Sequence, residues 1–152
     1  MTLCRLIAVL LVAAALSAGV DTRPAVAQTT KAEDELRFGL LMVRQRKYQS
    51  AVRHFTRAIK FGSELSRKQL SRAYVNRGYT YQNIGKPKKA MADYNQAIKI
   101  DPGNAYAFNN RGLAFEKRGD RERAVADYRR ALKINPKLWL TQQNLKRLGV
   151  AP

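Results

Sequence analysis

The chain has 152 residues, with 29 Lys and Arg against 11 Asp and Glu, one His and one Cys, and a net charge of +18 at pH 7. This length suits one domain; a single cysteine excludes an internal disulfide and a single histidine leaves no ligand set for zinc. The charge directs the molecule towards anions.

Residues 1–5 carry one positive charge, residues 6–20 form an apolar run ending in small residues, and Ala25-Val26-Ala27 before Gln28 has the small-x-small form of a signal-peptidase site. The pattern predicts a signal peptide over residues 1–27 and a periplasmic or secreted product. The apolar run is shorter than the roughly 20 residues that a helix needs to span a bilayer. No cysteine follows it, so a lipoprotein cut is not expected. Cleavage removes Cys4, Arg5, Asp21 and Arg23, leaving a thiol-free domain of residues 28–152 with 27 basic and 10 acidic residues, net +17.

From Lys31 onward the chain repeats. Gly39, Ala51, Phe55 and Ala58 are followed by Gly78, Ala90, Tyr94, Ala97 and Pro102, and 34 residues later by Gly112, Ala124, Tyr128, Ala131 and Pro136. A period in this range signals a solenoid. Within each unit, Ala-x-x-x-Phe/Tyr-x-x-Ala places apolar residues on one side of a helix, and a preceding stripe such as Tyr74, Gly78 and Tyr81 marks another. Small residues at Gly78 and Ala90 let two antiparallel helices approach closely. A hairpin cannot cover both of its apolar surfaces alone, so neighbouring units stack.

Local chemistry sets the boundaries. Five extra residues separate the first two units; Gly62-Ser63-Glu64-Leu65 reads as a longer connection, and Ser66-x-x-Gln69 as a capping box that starts the next helix a turn early. Pro87 suits a first helical position and Asp120 an N-cap. After Pro136 the pattern changes to a capping helix over about 137–148. Leu138, Leu145 and Leu148, with Trp139 and Leu140 nearby, are expected to cover the last hairpin. Arg77 with Asp93 and Arg111 with Asp127 recur sixteen residues apart, and Phe38 with His54 occupies the same columns in the first unit. Both members change together, which predicts a contact between the two helices of each hairpin.

These residues give the chain a resemblance to the tetratricopeptide repeat family, through Gly-x-x-Tyr/Phe, Ala-x-x-x-Tyr/Phe-x-x-Ala and a closing proline. The resemblance implies an all-α, right-handed solenoid of three helix-turn-helix hairpins, in units of about 32–65, 71–104 and 105–138, with a capping helix. It also implies a protein-interaction scaffold that holds a peptide segment of a partner in its concave groove. By resemblance, Arg72, Val75, Asn76, Tyr79, Gln82 and Asn83, with Tyr106, Asn109, Asn110, Leu113, Glu116 and Lys117, face that groove. The paired amides of Asn76 and Asn110 could satisfy an extended backbone. The family's carboxylate clamp is not expected. Leu36, Leu40, Tyr106 and Asn110 stand where it needs lysine, asparagine or arginine, and only Asn76 fits.

No catalytic, cofactor or metal constellation is expected, since nothing pairs a nucleophile with a base. The alternative reading is an envelope protein that binds anionic lipid or polysaccharide through a convex basic surface including Arg121, Arg123, Arg129, Arg130 and Lys133. Nucleic acid is not expected for a secreted protein. The leader reading has a direct check: intact mass of the exported protein should place its first residue at Gln28, and retention of Met1 on membrane-bound protein would overturn it.

Overall fold

The structure, a computed structural model, describes residues 29–151; the expected signal peptide lies outside the described residues. Seven α-helices and no strand occur among the described residues: α1 (Lys31–Arg44), α2 (Tyr48–Lys60), α3 (Arg67–Asn83), α4 (Pro87–Ile100), α5 (Ala105–Glu116), α6 (Arg121–Ile134) and α7 (Trp139–Arg147), with a 3-10 turn at Gly62–Glu64. The first six pair as hairpins, each hairpin packs on the one before, and α7 packs on α6. The first helices also touch one another, α1 with α3 and α3 with α5. They form the inner layer, and α2, α4 and α6 the outer one.

The repeat columns become close contacts between these layers. Phe55, Tyr94 and Tyr128 are wholly buried, and each ring lies against the glycine of its own hairpin. A methyl group built on Gly39, Gly78 or Gly112 would lie 2.5, 2.6 or 2.9 Å from a ring carbon, nearer than carbon atoms pack. The adjoining Ala51, Ala90 and Ala124 are also wholly buried. Small residues on both helices therefore set the interhelical distance at which the ring fills the remaining space.

Helix ends follow the local chemistry. Ser66 and Gln69 form the expected capping box, Pro87 opens α4, and Asp120 caps α6 through Arg123 N at 3.1 Å. Thr30 and Glu33 form a second capping box on α1. The insertion between the first two hairpins is absorbed by the 3-10 turn and by the 17 residues of α3. Glu64 ties that turn back to α1 by accepting from Ala32 N at 3.0 Å. Each hairpin turn needs one left-handed residue: Gly85 and Gly119 serve in the second and third, and Arg46, with φ 56°, in the first.

One packing expectation fails. Leu138 and Leu145 are buried against the last hairpin, but Trp139 is 66% exposed and Leu140 is exposed beside it. They sit at the start of α7, in the columns of Ala105 and Tyr106, and no outer helix covers the indole among the described residues.

Two substitutions test this geometry by urea unfolding. Arg46→Gly should stabilise by about 0.5–1 kcal/mol, because the left-handed conformation costs a non-glycine residue about 1–2 kcal/mol and glycine's backbone entropy returns part of it. Gly112→Ala should destabilise by about 1–3 kcal/mol through overpacking against Tyr128, despite alanine's better helix propensity.

Candidate functional site

The inner layer carries an open cleft of about 260 Å³ between α1 and α3, lined by Glu33, Leu36, Arg37 and Leu40 from α1 and by Gln69, Arg72 and Asn76 from α3. Helical spacing puts these residues on facing stripes, with side chains at i, i+3, i+4 and i+7. Glu33 is already engaged: its carboxylate accepts from Gln69 Nε2 at 2.7 Å and from Thr30 N at 3.2 Å. Arg37 has only a 3.9 Å contact to Asp34, and Arg72 is exposed. The cleft therefore offers two guanidinium groups, an amide and two leucines. Tyr79 and Tyr106, both exposed, extend the apolar surface along the stack.

The groove residues expected from the sequence divide into two sets. Arg72, Tyr79 and Tyr106 stand on the open surface, Asn76 is half-buried on the cleft wall, and Leu113 and Lys117 are half-buried and exposed respectively. Val75 does not face the groove: at 6% exposure it packs with Ala97 and Ala107, where α3 meets the next hairpin. Asn109 does not face it either. It is 2% exposed, and its oxygen accepts from Thr141 Oγ1 at 2.8 Å and Asn144 Nδ2 at 3.1 Å. The reason is α7, which carries these two donors and covers the position. Asn109 in turn donates to Asn110 Oδ1 at 3.1 Å, so the amide pair expected from Asn76 and Asn110 is not symmetrical. Asn83 donates to Tyr79 O at 2.8 Å within its own helix.

Gln82 and Glu116 hold the buried tyrosines. Tyr94 donates its hydroxyl proton to Gln82 at 3.0 Å, and Tyr128 donates to Glu116 at 2.7 Å. Burial, reinforced by neighbouring carboxylates, raises both phenol pKa values and keeps the rings neutral. Glu116 also receives Arg147 of α7 at 2.9 Å. A signal for this lay in the sequence: Val43 with Phe55, Gln82 with Tyr94 and Glu116 with Tyr128 are each twelve residues apart, and the polar partner occurs only where the ring carries a hydroxyl. Leu36 and Leu40, read in the sequence only as departures from the clamp, are on the cleft wall itself.

The Arg and Asp columns tie the two helices of a hairpin to each other and to the hairpin before. Arg77 donates to both oxygens of Asp93 at 2.8 Å, and Arg111 to those of Asp127 at 2.8 and 2.9 Å. Each guanidinium lies between two rings of its own helix, Tyr74 and Tyr81 or Phe108 and Phe115, 5.4–5.9 Å from their centroids. Each also reaches the outer helix of the preceding hairpin, at Thr56 Oγ1 (3.2 Å) or Asn95 Oδ1 (2.8 Å). Burial opposes the Arg77 charge, but the hydrogen bond and charge of Asp93 outweigh it and raise its pKa. In the first hairpin, Phe38 and His54 rings lie 5.8 Å apart, and His54 Nδ1 is additionally 2.7 Å from Glu35.

The outer surface spends several of its expected cations internally. Arg123 pairs with Asp120, holding that carboxyl below its usual pKa range, and lies 4.5 Å from the Phe115 centroid. Arg121 donates to Leu148 O, and Arg130 lies 5.9 Å from the Phe108 ring. Arg129 and Lys133 are exposed, and Arg129 borders a shallow depression on α6 with Arg121, Glu122, Val125 and Ala126.

Comparison with known proteins places this geometry. Residues 71–104 and 105–138 match the family model of the tetratricopeptide repeat. The DnaJ homolog subfamily C member 7 homolog of Schizosaccharomyces pombe is 31% identical over 87 residues, 57% of this chain, and the chain spans only 17% of that protein. The Arabidopsis OM64 TPR domain superposes with a TM-score of 0.70 at 27% identity, over 77% of this chain and 93% of that one. The second TPR domain of human RPAP3, solved in complex with the HSP70 peptide SGPTIEEVD, gives a TM-score of 0.66 at 26% identity, over 78% and 94%.

The Arg77 and Asp93 contact is measurable by a double-mutant cycle. Arg77→Ala and Asp93→Ala should couple by about 0.5–3 kcal/mol, the range for residues in contact; additive effects would contradict the bidentate geometry.

Proposed function

The chain belongs to the tetratricopeptide repeat family, and from that premise we propose that it is a non-enzymatic scaffold of the cell envelope, or secreted, whose inner face holds an extended segment of another protein. The observation that carries this reading is the cleft between α1 and α3, where Asn76 and two arginines flank Leu36 and Leu40. An amide can both donate to and accept from a peptide backbone, while the leucines and Tyr79 offer apolar contact. The solved complex of the RPAP3 domain with a peptide supports the same use of the fold. The binding mode differs from a carboxylate clamp, since Leu36 and Leu40 replace polar groups on the cleft wall. The envelope location rests on the leader pattern of residues 1–27.

Binding of polyanions by the outer surface remains the competing reading. Arg123 is neutralised by Asp120, whereas Arg121, Arg129, Arg130 and Lys133 are exposed and keep their charge, Arg129 and Lys133 without a partner in the fold among the described residues. Salt and mutation separate the two. A protein ligand captured from envelope extract should bind Asn76→Ala about tenfold or more weakly, as expected when a buried backbone group loses its partner at about 1–3 kcal/mol. The double variant Arg129→Glu, Lys133→Glu should retain that binding at low and high salt. Loss of binding only in the charge-reversed protein, with steep salt dependence, would replace the scaffold reading by the polyanion one.

A further inference from the structure

Asp34, Phe38, Leu41 and Gln45 form one stripe along α1. The equivalent positions in α3 and α5 are interface positions: Ala73, Thr80, Ala107 and Ala114 are buried there, and Arg77 and Arg111 bond to the preceding hairpin. In α1 the same columns hold large apolar side chains, Phe38 at 52% exposure and Leu41 at 44%, and no hairpin precedes them among the described residues. The ends of a solenoid need polar outer faces. At the other end α7 exposes Trp139 and Leu140 beside half-buried Gln142 and Gln143 and exposed Lys146; on α1 the exposed apolar side chains stand in the interface columns themselves.

Charge identifies what can cover the stripe. Residues 28–152 carry +17, which opposes the approach of two copies. α1 is the exception among the outer-facing ends: Lys31, Arg37 and Arg44 balance Glu33, Asp34 and Glu35. Two of its acids, Glu33 and Asp34, occupy the first turn, where Glu33 is held by Gln69 and Asp34 accepts from the Thr29 hydroxyl at 2.7 Å with its second oxygen open. Its last turn carries Arg44, followed by Arg46 and Lys47. Such a helix is complementary to itself when two copies run antiparallel, since a two-fold axis brings each acidic turn to the partner copy's basic one. With the axis between Phe38 and Leu41, Asp34 and Arg44 lie on opposite sides of it, about 8 and about 7 Å away at 1.5 Å per residue, within reach of a long guanidinium side chain. The helix dipoles are then antiparallel as well.

We infer that two copies of this protein associate through α1, antiparallel, with Phe38 and Leu41 packed about a two-fold axis and Asp34 of each copy against Arg44 of the other. One helix per copy covers far less than the ~800 Å² that each partner contributes to a standard interface, so the dimer forms reversibly at micromolar or higher concentration. It leaves the cleft between α1 and α3 open, because Leu36 and Leu40 lie on a different side of α1.

Sedimentation equilibrium of the processed protein tests this, with helicity by circular dichroism as the folding control. A monomer–dimer equilibrium is expected, abolished by Phe38→Glu and by Leu41→Glu, and weakened about tenfold or more by Asp34→Arg. Combining Asp34→Arg with Arg44→Asp should restore it, which a merely structural role for either residue would not do. A monomer at all concentrations to about 1 mM, a dimer indifferent to Phe38→Glu, or failure of the charge swap to rescue Asp34→Arg would each overturn the inference.

Discussion

The contact between a glycine on each inner helix and an aromatic ring on its outer partner is the constraint on which the structure depends. With no side chain at Gly39, Gly78 or Gly112, the rings of Phe55, Tyr94 and Tyr128 reach the inner helix's backbone and disappear from solvent. Interiors pack at crystal-like density, so a single added methyl is felt. The spacing of helices inside a hairpin follows from this contact, and every other repeated interaction is built at that spacing. The hydroxyls of Tyr94 and Tyr128, carried past the glycine, end at Gln82 and Glu116 on the inner helix.

Relations between hairpins are fixed by a different chemistry. Arg77 and Arg111 each bind an aspartate of their own hairpin and a polar side chain of the one before. A half-buried guanidinium can do this because it has five donors in a rigid plane, and the flanking rings cover its faces without competing for those donors. Removing one partner would strand a charge in a site of low polarity. Among the described residues no hairpin precedes the first one for such a bridge to reach, and its columns carry Phe38 and His54 instead. The same absence leaves Phe38 and Leu41 on an edge that the other hairpins bury.

The inner surface is consequently not uniform. At the C-terminal end, α7 fills the groove with Thr141 and Asn144 on Asn109 and with Arg147 on Glu116. At the N-terminal end, α1 leaves an open cleft whose one carboxylate, Glu33, is committed to Gln69 and to the cap of α1. In that half two arginines and two leucines line one cleft.

The sequence by itself determined the repeat, the hairpins and their caps, because these depend on residue type at fixed local spacing: a ring sixteen residues after a glycine, a proline at a first turn, a serine three residues before a glutamine. It also determined the Arg77 and Asp93 contact, since both members of the pair change together between units. Only the tertiary structure decided which inner-helix residues remain accessible. Val75 and Asn109 occupy one column, which the resemblance places in the groove, yet the next hairpin covers the first and α7 the second. Trp139 belongs to a column that is buried where another outer helix lies against it, yet it is exposed at the end of the stack. Accessibility depends on what packs from outside the unit, and the repeating pattern within a unit carries no record of where the stack stops.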